Sequence, residues 1–301
     1  MLVSCVYCPC CEAKIENHFR KLEGKSYLNK GPNVDFIYMI NLDERPEKFK
    51  RSSDLLRPYG IIPYRVSGVN GWKLTLAEIN DMGLKYTNKM KKGMKASRFL
   101  PENPFQASDE RLGEVGQSYF CHNITRGAVG ILVSHLSILQ DAYDSGYETI
   151  WVFEDDIEIA QDPRLVFERI EQLDAKLGAG NWDMLFTDRD TRDENGNAIV
   201  CRAFGERPNF SPKDPQQFNK RIQIDPTFIE TGARYGAYSV IIRRSGIKKM
   251  LDFIKTYDAF LPYDIEYCFP EGIRLINVSD DIVRHQTDAH SDNHKPRYKQ
   301  K

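Results

Sequence analysis

Ile150-Trp151-Val152-Phe153-Glu154-Asp155-Asp156 is the stretch on which the reading of this chain turns. Four large apolar residues in a row, entered from Tyr147-Glu148-Thr149, have the length and the β-branched and aromatic content of a strand buried on both faces. Such a strand forces the three acids out at its carboxyl end, where open α/β sheets bind ligands. Three adjacent carboxylates repel one another, so holding them ionised together is costly unless a cation is bound, and hard oxygen ligands favour Mg²⁺ or Mn²⁺. The plain alternative is a solvated acidic loop that caps the following helix.

The flanking sequence supplies the rest of an α/β pattern. Phe36-Ile37-Tyr38-Met39-Ile40 is an apolar run opening into the polar Asn41-Leu42-Asp43-Glu44-Arg45, and Pro46 suits a first helical position. Phe49 and Leu56 lie seven apart, Gly60 ends the helix, and 61–66 is the next strand. This β-α-β opening predicts a parallel sheet with its functional loops at the carboxyl ends of the strands. Ile131, His135, Ile138, Leu139 and Ala142 follow helical spacing up to Gly146. Asp162-Pro163 is expected to start a helix carrying Val166, Ile170, Leu173 and Leu177, with Gly178 as its stop. Strands are expected over 182–186, 235–242 and 273–278, with Ser245 capping a helix between the last two. One domain over 34–286 results, with a Cys-rich appendage at 1–33 and a polar tail at 287–301. Residues 71–126 show no sustained period and read as an irregular insertion over one end of the sheet.

Composition narrows the function classes. The 301 residues carry 42 basic and 43 acidic side chains, a net charge of −1 that removes the electrostatic case for nucleic-acid binding. With 41% hydrophobic residues the chain is not disordered as a whole. The longest uncharged apolar-rich stretch, 127–140, is too short to span a membrane, and the first residues lack the pattern of a secretory signal, so a cytoplasmic protein is expected. Of seven cysteines only Cys121, Cys201 and Cys268 lie beyond the first eleven residues, which rules out a disulfide framework for the fold. The cluster Cys5, Cys8, Cys10 and Cys11 fits a zinc site, a redox pair or a thiol-bearing leader equally. Lys85, Lys89, Lys91, Lys92, Lys95 and Arg98 fall in one window without an acid. It is either a solvated face or a surface for an anionic acceptor or for the headgroups of an inner membrane face.

Several blocks, in order, resemble glycosyltransferase family 25, the group of bacterial lipooligosaccharide galactosyltransferases and procollagen galactosyltransferases. They are Ile40-Asn41-Leu42-Asp43-Glu44-Arg45, the Gly127-Ala128-Val129-Gly130 and Ser134-His135 helix, and Val152-Phe153-Glu154-Asp155-Asp156. Trp182-Asp183, Tyr238-Ser239-Val240 with Ser245-Gly246, Pro262-Tyr263-Asp264 and Ser291-Asp292 continue the series, so the resemblance runs from about 35 to 292. It departs at 128–131, where the family commonly has an acid followed by a cysteine.

The resemblance implies a single Rossmann-like (GT-A type) domain that moves a hexose, with galactose expected, from a UDP-sugar to a glycan, lipooligosaccharide or protein hydroxyl, with metal dependence and inversion. On this footing Asn41, Arg45, Glu154 and Asp155 are the donor-binding positions. Asp156 is the first ligand of Mn²⁺ or Mg²⁺, with Glu154, His285 and His290 as further ligands. Asp264 is the expected base for the acceptor hydroxyl, with Asp188 as the runner-up. His135, on an apolar helix face, reads as a core histidine. A metal-dependent phosphohydrolase or nucleotidyltransferase, and an inactive sugar-nucleotide-binding relative, are the competing readings.

Overall fold

A computed structural model describes residues 15–190, 206–287 and 289–299. Cys5, Cys8, Cys10, Cys11 and Cys201 lie outside the described residues. The chain opens its domain with β1 (Phe36–Asn41), α1 (Pro46–Leu56) and β2 (Tyr64–Ser67). Next come α2 (Leu76–Met82), β3 (Leu84–Lys85), β4 (Lys95–Leu100), β5 (Asn103–Arg111) and β6 (Ser118–Cys121). α3 (Arg126–Asp144) leads into β7 (Thr149–Phe153), β8 (Ile157–Ile159) and α4 (Leu165–Leu177). β9 (Met184–Phe186), β10 (Arg221–Gln223), β11 (Phe228–Thr231), β12 (Ser239–Arg243) and α5 (Arg244–Tyr257) follow. α6 (Tyr263–Glu266), β13 (Leu275–Val278) and β14 (Val283–His285) complete the described elements.

Eight strands form one sheet in the order β10-β11-β13-β9-β12-β7-β1-β2. β1 pairs in parallel with β2 and β7, as the β-α-β opening predicts, and β9 pairs in parallel with β13. β12 lies antiparallel between β7 and β9, and β11 and β10 add antiparallel pairs at the edge. The sheet is therefore mainly parallel but mixed, with β12 and β11 running against the other six strands. Alternation along β1 sorts its residues between two cores. Phe36 and Tyr38 pack with Val133 and Leu136 of α3 and Ile247 of α5, whereas Ile37 and Met39 pack with Leu56 of α1 and Ile170 of α4. The result is a sheet covered on both faces.

Residues 71–126 are more ordered than their weak periodicity suggests. Thr75 and Glu78 form a reciprocal capping box that starts α2, and β3-β6-β4-β5 make a second, antiparallel sheet. β5 is exposed or half-buried along its whole length and β3 has two residues, so no alternating apolar signal marks them. The buried guanidinium of Arg126 ties this layer to α3 by donating to the carbonyls of Gly71 (2.9 Å), Leu74 and Pro104. Folding also brings acids to the basic window: Lys91 pairs with Glu206, and Arg98 with Glu110 and Glu114. The described part of the N-terminal segment packs on α3 as well. Ile15 is buried, Arg20 N–H donates to Ser137 Oγ, and Lys25 pairs with Asp141.

Two local expectations shift. Ser245 is not a cap, because α5 starts at Arg244 directly after β12 and the Ser245 hydroxyl donates to Asp183 (2.6 Å). Asp162 accepts from the Arg164 N–H and α4 begins at Leu165, later than the Asp-Pro pair suggests. Among the described residues no helix is long and apolar enough to cross a membrane.

Candidate active site

β7 is buried along its whole length and delivers Glu154, Asp155 and Asp156 at its carboxyl end, beside the same end of its parallel neighbour β1. Each acid is held differently. Asp155 accepts from Asn41 Nδ2 (2.6 Å), and Asn41 in turn accepts from Arg65 Nε (2.8 Å). The Asp155 carbonyl also accepts from Ser52 Oγ of α1 (2.7 Å). Glu154 continues the antiparallel ladder through its N–H to the Tyr238 carbonyl, while its side chain meets His135 Nε2 at 3.1 Å. The Asp156 carbonyl accepts from the Gln286 N–H, and its Oδ2 lies 3.4 Å from His285 Nε2. The two-stranded pairing of β8 with β14 sets this last contact by placing His285 opposite Ile157.

The triplet separates two adjoining cavities. The first is lined by Asn41, Arg45, Lys48, Trp72, His135 and all three acids. The second is lined by Glu154, Asp156, Tyr238, Tyr263, Asp264 and His285. Ser291 and Asn293 border both cavities, so residues of the polar tail take part in the site. The tail is fastened there by Arg45 to Asp292, by Trp72 Nε1 to the Asp292 carbonyl (2.8 Å) and by Thr125 Oγ1 to Asn293. The glycines of α3 permit this closeness: a Cβ on Gly127 would meet the Asn293 carbonyl oxygen at 2.3 Å, and one on Gly130 the Val69 carbonyl oxygen at 2.4 Å.

Burial raises the Glu154 carboxyl, with Asp156 and Asp264 adding to the rise. Burial likewise pushes Asp155 up to about 7 in spite of Lys48. At Asp156 burial acts upward, but the hydrogen bond and charge of His285 and then Lys48 outweigh it, and the carboxyl stays below its ordinary range. His285 is raised in return, chiefly by that bond. Asp264 accepts the Gly236 N–H (3.1 Å) and is raised by burial. His135 is driven down to about 3 by burial, stacked on Tyr263 with centroids 3.9 Å apart.

The fold thus brings Asn41, Arg45, Glu154, Asp155, Asp156, Asp264 and His285 to two adjoining cavities. His290 is exposed and lines neither. Asp188 occupies a neighbouring cavity that shares Tyr238 and His285 with the second one. Its two oxygens take the buried guanidinium of Arg234 at 3.0 and 3.1 Å. Burial raises Asp188 to about 6 against the pull of that arginine. Among the described residues no three His, Cys, Asp or Glu side chains converge as a ready-made metal cage. A single aspartate nonetheless suits a hard cation whose remaining ligands are substrate phosphate oxygens and water, and Asp156 Oδ1 is buried with no hydrogen-bond partner. Sequence reasoning missed Lys48, whose ammonium lies 3.8 Å from Asp155 and 4.0 Å from Asp156. A signal existed, because a lysine in the first turn of α1 runs against the helix dipole. It also read His135 as core, which its burial bears out, without its contact to Glu154.

An α/β sheet with a carboxylate cluster and two cavities at the carboxyl ends of parallel strands belongs to the class of ligand-binding α/β proteins. The profile of glycosyltransferase family 25 (LPS biosynthesis protein) matches residues 35–266, and the chain belongs to that family. It is 23% identical over 244 residues to a glycosyltransferase 25 family member of Aedes aegypti, covering 80% of this chain and 32% of that protein. The corresponding Drosophila melanogaster protein is 24% identical over 250 residues, 82% of this chain and 32% of its own length. A human relative named inactive glycosyltransferase 25 family member 3 is 25% identical over 157 residues, 52% of this chain and 22% of that protein. The chain therefore spans a third or less of the length of these curated relatives.

Proposed function

We propose that this chain is an inverting, metal-assisted glycosyltransferase that moves a hexose, expected to be galactose, from a UDP-sugar to a hydroxyl of a glycan, lipooligosaccharide or protein. The observation that carries the reading is Asp264 sharing one cavity with Glu154, Asp156 and His285, next to the first cavity, which Glu154 and Asp156 also border. Inversion needs a base on the side opposite the leaving group, and a buried carboxylate with a raised pKa is a stronger base than an exposed one. The Gly236 N–H holds Asp264 in place while its carboxylate takes the acceptor proton. Asn41 and Arg45 line the donor side, and His285 keeps Asp156 ionised. Bound at Asp156, Mn²⁺ or Mg²⁺ would supply Lewis-acid compensation for the charge developing on the nucleoside diphosphate. The same reading puts the reaction in the cytoplasm, with the exposed Lys85, Lys89, Lys92 and Lys95 turned to an anionic acceptor or an inner membrane face.

The test is a screen of UDP-galactose, UDP-glucose and their N-acetyl forms with manganese and a broad acceptor panel. Acceptor-dependent transfer from one donor supports the proposal, and release of free sugar without an acceptor would point to hydrolysis. The name of the human relative favours a second reading, a sugar-nucleotide-binding protein without turnover. Donor binding with no product across the panel would establish that one instead.

A further inference from the structure

We propose that Lys48 is a tethered cation that occupies the acid cluster in the donor-free protein and moves onto the diphosphate oxygens once metal and donor bind. The proposal rests on the nucleotide-sugar reading above. Lys48 lies in the first turn of α1, where a positive charge opposes the helix dipole, and four residues on it faces Ser52, which is not an acid. Its placement is therefore explained by neither the helix nor a local ion pair. Its side chain, 15% exposed, reaches across the loop into the first cavity and stops 3.8 Å from Asp155 Oδ1 and 4.0 Å from Asp156 Oδ2. Neither distance is short enough for a hydrogen bond, so the ammonium offsets the carboxylates without being locked to them.

Beside it, Asp156 Oδ1 is buried with no hydrogen-bond partner, a state that costs free energy until a donor or a cation reaches it. A divalent ion taking that oxygen would stand next to the ammonium, and like charges within a few ångströms repel strongly in a partly dry site. A diphosphate bound in the first cavity, which Lys48 lines, would offer the ammonium another anion, and lysine binds phosphate as a mobile point charge. Lys48 should then act with opposite signs in two states: it competes with the metal when the donor is absent and supports the nucleotide when the metal is present. A side chain that merely fills space would do neither.

The experiment compares wild type with Lys48→Met, which keeps most of the stem and removes the charge, and with Lys48→Arg, which keeps the charge. Manganese binding to the donor-free protein is followed by electron paramagnetic resonance, and UDP binding at saturating manganese by calorimetry. Lys48→Met should bind manganese about tenfold more tightly and UDP about tenfold more weakly, as expected for a unit charge near 4 Å in a half-screened site, with Lys48→Arg close to wild type in both. Unchanged or weaker manganese binding by Lys48→Met, or unchanged UDP binding, overturns the role of Lys48. A wild-type protein that binds neither manganese nor UDP overturns the underlying reading of the site, so the two failures are distinguishable.

Discussion

Replacing Asp264 by asparagine isolates one proton transfer from everything else the site does. The amide oxygen can still accept the Gly236 N–H now held at 3.1 Å, and the side-chain volume barely changes, so the cavity wall should keep its shape. In the proposed reaction, what is lost is the base, a carboxyl whose pKa burial raises. A positioned general base contributes a factor of roughly 10² to 10⁴, which is about 2.7 to 5.4 kcal/mol of barrier. Turnover should fall by that factor with UDP affinity nearly unchanged, since Asp264 borders the second cavity and not the first, where the donor is proposed to bind. Wild-type activity should also lose its acid limb at a pH above that of an exposed aspartate. Steady-state kinetics across pH, with nucleotide binding measured in parallel, checks both points. A collapse of donor affinity in Asp264→Asn would refute the reasoning and make Asp264 a structural or metal-site residue. Asp188 would then be the remaining candidate, although its own replacement by asparagine should also cost about 3 to 5 kcal/mol of stability by leaving the buried Arg234 guanidinium uncompensated.

Asp156→Asn should abolish transfer while thermal unfolding barely moves; activity within threefold of wild type at saturating manganese would remove Asp156 from the metal site. His135 has a folded-state pKa of about 3 against roughly 6.5 when unfolded, so the unfolded chain binds more protons between these values and stability falls as pH drops below 6.5. From pH 7 to pH 5 the loss attributable to this ring is about 2 kcal/mol, and the stability gap between wild type and His135→Gln in urea titrations should narrow by that amount. An identical gap at both pH values would mean that the imidazole titrates normally. Gly130→Ala should destabilise by about 1 to 3 kcal/mol, because the new methyl meets the Val69 and Gly71 backbone and no flexible side chain that could give way. Urea midpoints equal to wild type would show that this contact relaxes freely.

How much of this was legible in the sequence depends on the range of the interactions involved. The apolar run of β7, its three acids, and the β-α-β unit from Phe36 to Ser67 follow from local rules of burial and periodicity, and the structure keeps them. The ordered family blocks likewise carried the family assignment. Gly130 and Ser134 show how a sequence block can be plain while its reason is not. The glycine lets the 69–71 loop touch α3, and the serine hydroxyl accepts the Val69 N–H, 65 residues away.

Tertiary structure alone decided the rest. A strand pattern carries no direction, so the apolar residues of β12 could not reveal that it runs antiparallel between β7 and β9 and makes a mainly parallel sheet a mixed one. Short or solvent-facing strands such as β3 and β5 bury too little to imprint a period, which is why 71–126 looked irregular. The electrostatics of the acid triplet were equally out of reach. Whether a carboxylate is raised or lowered depends on the cations and dry surfaces that pack against it. Here His285 arrives through a β-pair formed across more than a hundred residues, and Lys48 from a different crossover. Sequence fixes which residues can do the chemistry, because residue type and strand burial are local properties; which of them meet is a property of long-range pairing.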